Sequence, residues 1–232
     1  MSVRITDLPE ITRPGVGVVM ASTWRVGTPE RQRAAVEAIT GAWRSREWPD
    51  VGLLSYSVLT GNDGDTLLHY SQWSDVEAHQ EFVRTFRDER NAEIDAAVPG
   101  IERVGLRSYE PYRGEAGDGS VEPGCVVIVD VEFDGPDSGR QKSWVDAVFA
   151  ALGSDPATPD GGLSAHFHVS TDGTRVLNYA EWASEEAHVA ALGAPGDGVG
   201  SVTDEWKRVQ SYPGLKGSTV RRYTPAISLS AE

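Results

Sequence analysis

Cysteine is nearly absent: Cys125 stands alone, inside a run of valines. A single thiol forms no intramolecular disulfide and builds no thiolate metal cage, and a cytoplasmic setting fits that usage. Basic charge is also scarce. The 21 Lys and Arg face 35 Asp and Glu, a formal charge of −14 with no basic cluster, which opposes binding to nucleic-acid phosphates and to anionic membrane surfaces. No stretch approaches the roughly 18 apolar residues of a membrane span. The amino-terminal segment MSVRITDLPEITRPG has no apolar core of the kind a secretory signal needs. The expectation is a soluble, untargeted protein without nucleic-acid or membrane partners. Core-forming residues are not lacking: 39% of the 232 residues are hydrophobic, enough for one large or two small domains.

What the chain does contain is a repeat. DGDTLLHYSQWSDVEAH (63 to 79) matches DGTRVLNYAEWASEEAH (172 to 188) without a gap, pairing Tyr70 with Tyr179, Trp73 with Trp182 and His79 with His188 at a constant offset of 109. PGIERVGLRSYEP (99 to 111) matches PGLKGSTVRRYTP (213 to 225), and VGVVMASTW (16 to 24) parallels CVVIVDVEF (125 to 133). This divides the chain into units 1–113 and 124–232, joined by a Gly-rich polar linker over 114–123.

In the first half a strand is expected over 16–25. Thr28-Pro29 supplies an N-cap and a preset first helical turn for a helix to about Glu47, with Val36, Ile39 and Trp43 on one face. Strands over 52–60 and 65–73 flank Gly61-Asn62-Asp63-Gly64, a hairpin turn. Ser74 to Glu77 reads as a capping box opening a helix to about Val98, and a last strand spans 101–112. The second half repeats this order, with strands at 125–133, 162–170 and 174–182, a helix around 144–152, and a second helix broken at Gly193 to Gly198 before a helical stretch over 199–210. The order βαββαβ predicts an α+β fold of tandem ferredoxin-like units. Each sheet then has a bare face, and packing the two faces together as an intramolecular dimeric α/β barrel would bury both and enclose a ligand cavity. The same reading allows a homo-oligomer of this fused pseudo-dimer.

The strand-end tryptophans Trp73 and Trp182, each followed by Ser, Asp or Glu residues and then Ala-His, resemble the antibiotic biosynthesis monooxygenase family. The resemblance covers nearly the whole chain and implies dimeric α/β barrels of this unit. Some members oxidise polycyclic aromatic polyketides with molecular oxygen and no cofactor. Others degrade haem, cyclise polyketides or have no known reaction. In the quinone-forming monooxygenases an asparagine precedes the tryptophan by four and a tyrosine follows it by six. Asn178 and Trp182 match the first pair, and His188 takes the tyrosine position; the first half has His69, Trp73 and His79 at these places. The haem-degrading branch carries its ligand ten residues after the tryptophan, where this chain has Val83 and Leu192. The implied function is a cofactor-independent monooxygenase acting on an anthrone-like polycyclic aromatic with O2, with an aromatic polyketide cyclase or a non-catalytic binding protein as alternatives.

Strand alternation puts His69, Ser71 and Trp73 on one face, and Asn178, Ala180 and Trp182 on the equivalent face. Facing a cavity, an indole N–H and an amide would hold the oxygens of a phenolic substrate. A packing role serves equally for both tryptophans, and a satisfied barrel amide for Asn178. His79 and His188 lie in the first turns of helices, where the positive end favours a neutral base; helix packing is the competing role. His166 and His168 share a strand face and, with Asp130 or Glu132, would form a 2-His-1-carboxylate set, although their partners in the repeat, Ser57 and Leu59, provide no second copy. Two cavity histidines in contact with substrate, or two surface histidines, are the competing role, and no metal is expected. Tyr56, Met20 and Phe167 are expected in a cavity wall or in plain core. The Asn178–Trp182 pair directs the expected chemistry to the second half.

Overall fold

The computed structural model describes residues 3–117, 119–156, 160–193 and 199–231. It is an α+β protein of nine strands and six helices among the described residues. Packing resolves it into two units, Met1–Tyr109 with Tyr223–Glu232, and Glu110–Arg222. The boundary differs from the split at 113 and 124 read from the repeat, because two long strands serve both units. β5 (Glu102–Ala116) and β9 (Leu215–Ala231) each contribute one half to each.

In unit 1 the strand order is β1 (Val3–Thr6), β9, β3 (Leu53–Gly61), β4 (Thr66–Trp73), β2 (Val18–Arg25), β5, all antiparallel. Helix α1 (Pro29–Arg44) begins where the Thr28 side chain accepts from the Arg31 N–H and Pro29 supplies a fixed φ. The hairpin between β3 and β4 closes on Asp63, whose carboxylate accepts from the N–H groups of Asp65 and Thr66, and on Gly64 at φ 73°. Of the four turn residues only Gly64 takes positive φ.

The long second helix expected to Val98 is two helices, α2 (Val76–Thr85) and α3 (Arg87–Ala97), which meet at Phe86. The Phe86 N–H still bonds the Phe82 carbonyl, so the break leaves that donor satisfied. The cap of α2 is Asp75, one residue beyond the Ser74 of the expected capping box. α1, α2 and α3 cover one sheet face, where Met20, Val58, Leu67 and Trp73 meet Ile39, Trp43 and Phe82. The other face is buried as well, with Val19, Leu59, Tyr70 and Tyr109 at 1% exposure or less.

Unit 2 has the corresponding elements: β6 (Cys125–Phe133), α4 (Ser138–Ser154), β7 (Gly162–Ser170), β8 (Arg175–Trp182), α5 (Glu185–Leu192) and α6 (Asp204–Gln210), with β5 beside β7 and β9 beside β6. Its registers match those of unit 1. Leu53 and Gly162 oppose the two strand-end tryptophans, Trp73 and Trp182. The first strands correct the sequence alignment by two residues, because Val18, not Val16, stands where Cys125 stands, opposite the tryptophan. A shift of two keeps every side chain on its face. The expected helix break at Gly193 to Gly198 falls largely outside the described residues, and helix resumes at Asp204 rather than at 199. Gly114, expected in the linker, lies in β5, where a Cβ would come within 2.5 Å of the His166 ring.

Candidate functional site

A cavity of about 340 Å³ opens in unit 1 between the helix-covered sheet face and α1, α2 and α3. The sequence reading placed a cavity between two bare sheet faces; this one lies on the opposite side of the sheet. Its floor is set by strand alternation, since Met20, Ser22 and Trp24 of β2, Tyr56 of β3, and His69, Ser71 and Trp73 of β4 all project to that side. His79 and Phe82 of α2, Arg87, Arg90 and Asn91 of α3, and Arg103 of β5 complete the wall.

Two tryptophans, a tyrosine and a histidine form a connected row along it. Trp43 stacks on Tyr56 with ring centres 4.3 Å apart, the Tyr56 hydroxyl lies 2.7 Å from His69 Nδ1, and His69 lies 4.0 Å from Trp24. A guanidinium caps each end, Arg90 at 4.8 Å over Trp43 and Arg103 at 4.5 Å over Trp24. Burial pushes the Tyr56 phenol well above its usual range, against smaller opposing effects from a Trp43 hydrogen bond and the charge of Arg90. Burial first, and the charge of Arg103 second, hold His69 down to about 3. Both groups are therefore neutral at pH 7. With Tyr56 as the donor in its contact with His69 Nδ1, the ring proton stands on Nε2. That Nε2 is buried and has no hydrogen-bond partner among the described residues.

The remaining first-half candidates lie in the same wall. The Trp73 indole N–H donates to Ser71 Oγ at 2.9 Å, so the donor expected to hold a substrate oxygen is already engaged. His79 is half-buried and stands edge-on to Trp73 at 5.1 Å. Burial, then the charge of Arg87, lowers its pKa; the sequence reading assigned that effect to the helix end.

Of the second-half candidates, Trp182 and His188 meet edge-on, as Trp73 and His79 do in unit 1, with ring centres 4.9 Å apart. Asn178 lies on the helix-facing side of β8 with Trp182, and its Oδ1 is buried without a partner among the described residues. His188 accepts a hydrogen bond at Nδ1 from Arg222 Nε at 2.9 Å and is held down to about 4, by burial first and Arg222 second. Phe167 is plain core, packed edge-on to Phe149 and Trp144. His166 and His168 lie on the other face of β7, and burial lowers both, His168 to about 4. The carboxylates of Asp130 and Glu132 are held by Arg175, and β8 separates Asp130 from His168. No cluster of three or more His, Cys, Asp or Glu groups suited to a metal occurs among the described residues.

Trp24, Trp43, Arg90 and Arg103 were not singled out from sequence as site residues. Arg90 left a signal: Phe86, Arg90, Ile94 and Val98 are spaced by four from one cap of α3 to the other, so a guanidinium interrupts an apolar stripe.

Solved structures share this architecture over nearly their full length. An anthrone oxidase-like protein superposes with a TM-score of 0.67 at 19% identity, over 93% of each chain. The fold is shared. A candidate monooxygenase from Lactobacillus acidophilus NCFM gives 0.57 at 9% identity over 91% of this chain and 95% of its own. A chlorite dismutase variant from Candidatus Nitrospira defluvii gives 0.54 at 13% over 93% and 94%. No protein-family model and no curated protein matches the sequence. No helix among the described residues is long and apolar enough to cross a membrane.

Proposed function

We propose that unit 1 houses the active site of a monooxygenase that oxidises an electron-rich polycyclic aromatic, anthrone-like in class, with O2 and no bound cofactor. The observation that carries this reading is the buried, unpartnered Nε2 of neutral His69 in an aromatic cavity. The anthrone oxidase-like neighbour supports the substrate class. We also read the two units as copies of one ancestral unit, on the 109-residue offset and the matched registers.

An anthrone becomes reactive toward oxygen when a methylene proton leaves and charge moves to its carbonyl oxygen. His69 Nε2–H donates to that oxygen, and in a dry wall such a bond strengthens as the charge grows. Tyr56 fixes the imidazole orientation from behind. His79, neutral at pH 7, takes the methylene proton. The enolate then passes an electron to O2, the two radicals combine at carbon, and loss of water from the hydroperoxide leaves the quinone. One O2 is consumed, and one oxygen atom leaves as water.

The test is oxygen uptake by the purified chain supplied with an anthrone and nothing else. One O2 per quinone is expected, with no turnover under argon. Product formation without oxygen uptake would assign the site to a cyclase instead, and absence of any turnover would leave a binding protein.

A further inference from the structure

Arg90 is 4% exposed, yet no carboxylate pairs with it among the described residues. Its terminal nitrogens donate to the carbonyls of Phe86 at 3.0 Å and Glu47 at 3.3 Å, and its Nε has no partner. Two backbone carbonyls and the ring faces of Trp43 and Phe82 offset part of the cost of burying this guanidinium, and a group of opposite charge would offset more. The neighbouring acids Glu89 and Glu93 favour its charge from a distance but make no ion pair with it. Arg46 holds Glu93, with Glu89 nearby, and both acids lie outside the cavity lining.

The rest of the lining shows the same bias. Arg87 and Arg103 join Arg90, and no Asp or Glu is among the described lining residues. Arg87 and Arg103 are paired to Asp88 and Asp95 respectively. Arg90 is thus the one arginine of the described lining with no carboxylate in ion-pair contact, and Glu89 and Glu93 favour its charge only from longer range.

We infer that the substrate carries an ionised acid of carboxylate class on its aromatic framework, and that Arg90 binds this anion at the α3 end of the cavity. The inference rests on the reading of the cavity as the substrate site. The acid is not the oxygen that reacts. It seats the ring system along the Trp43–Tyr56–His69–Trp24 row, so that the reacting carbonyl meets His69 while the anion meets Arg90. A guanidinium suits this role because its planar fork accommodates both carboxylate oxygens, and because it remains charged even where burial lowers its pKa.

The probes are anthraquinone-2-carboxylate and its neutral carboxamide, titrated against tryptophan fluorescence so that no turnover is needed. The carboxylate should bind about tenfold or more tightly than the amide, the scale of one charge-assisted hydrogen bond, and added salt should narrow the gap. Arg90→Met should remove the preference; Arg90→Lys should keep part of it. A merely structural Arg90, tying Phe86 to Glu47, would alter melting temperature but not the ratio of the two affinities. Equal binding of both probes to the wild-type chain overturns the inference and leaves the aromatic site standing. A preference that survives Arg90→Met and vanishes in Arg103→Met also overturns it, by placing the anion at the other end. Binding of neither probe sinks both the inference and the proposed function. Should Arg90→Met fail to fold, the wild-type ratio and Arg90→Lys still decide.

Discussion

His69 is neutral because its surroundings leave it no alternative, and that neutrality has a price in stability that depends on pH. Its folded pKa lies near 3, whereas an unfolded histidine titrates near 6.5. Above pH 6.5 neither state binds the proton and the stability is fully present. As pH falls the unfolded chain takes up a proton that the folded chain refuses, and stability declines until pH approaches 3. His168 and His188, each held to about 4, add to the same slope. Melts from pH 7.5 to 5 should therefore show a falling midpoint, and His69→Gln should show a shallower fall. Parallel profiles for the two proteins would mean that His69 is not the buried neutral group described. Tyr56→Phe tests the other half of the pair. It removes the hydrogen bond to Nδ1 and frees the ring to change tautomer, so kcat should drop by about 10- to 100-fold, the range of supporting-residue losses at other sites, with little change in probe affinity. Of this pair the sequence placed His69 among the catalytic candidates and Tyr56 in a cavity wall or core. Their contact was not legible, because a diagonal cross-strand pairing depends on register, which alternation alone leaves undetermined.

Between residue and domain, each unit ties its first helix to its hairpin in the same way. Gln32 donates from Nε2 to the carbonyls of Gly61 and Thr66 at 2.9 and 2.8 Å. Gln141 donates to Ser170 Oγ and to the Arg175 carbonyl. Both glutamines are buried, and Arg31-Gln32 and Arg140-Gln141 keep the 109 offset of the repeat. Gln32→Leu would fit the volume but leave carbonyl lone pairs without a donor, at a cost of about 1–3 kcal/mol. Gln141→Leu should cost a similar amount, and urea melts of the two variants check the equivalence. A loss confined to one variant would show that the two ties are not equivalent. This signal was present in the sequence, but polar residues in an otherwise amphipathic helix read as its solvent face. The hairpins and most strand limits were legible, since alternation and turn residues are local. β1 was not. It is four residues long and pairs with the far end of β9, more than 200 positions away, which no local pattern announces.

At the scale of the whole molecule, composition argued against any basic feature, yet three arginines from α3 and β5 line one cavity. They are spread over residues 87 to 103, so no cluster is visible until the fold assembles it. The same gap between sequence and space separates two readings of which half works. Asn178 and Trp182 keep the spacing of the quinone-forming monooxygenases that the sequence resembles, and that spacing directs the expected chemistry to the second half. The connected row of Trp43, Tyr56, His69 and Trp24 is in unit 1, whereas in unit 2 the Nδ1 of His188 is taken by Arg222 and Phe167 fills core. Oxygen uptake on an anthrone should therefore fall by about 10²-fold or more in His69→Ala, as expected when a donor to developing negative charge is lost. Asn178→Ala should retain most of the wild-type rate, and thermal melts should confirm that both variants fold. If Asn178→Ala abolishes uptake and His69→Ala does not, the asparagine half is the working one and the unit 1 cavity has another use. Comparable losses in both would mean that each unit turns over substrate, and the burst of quinone in a single-turnover experiment should then count two sites per chain rather than the one expected here.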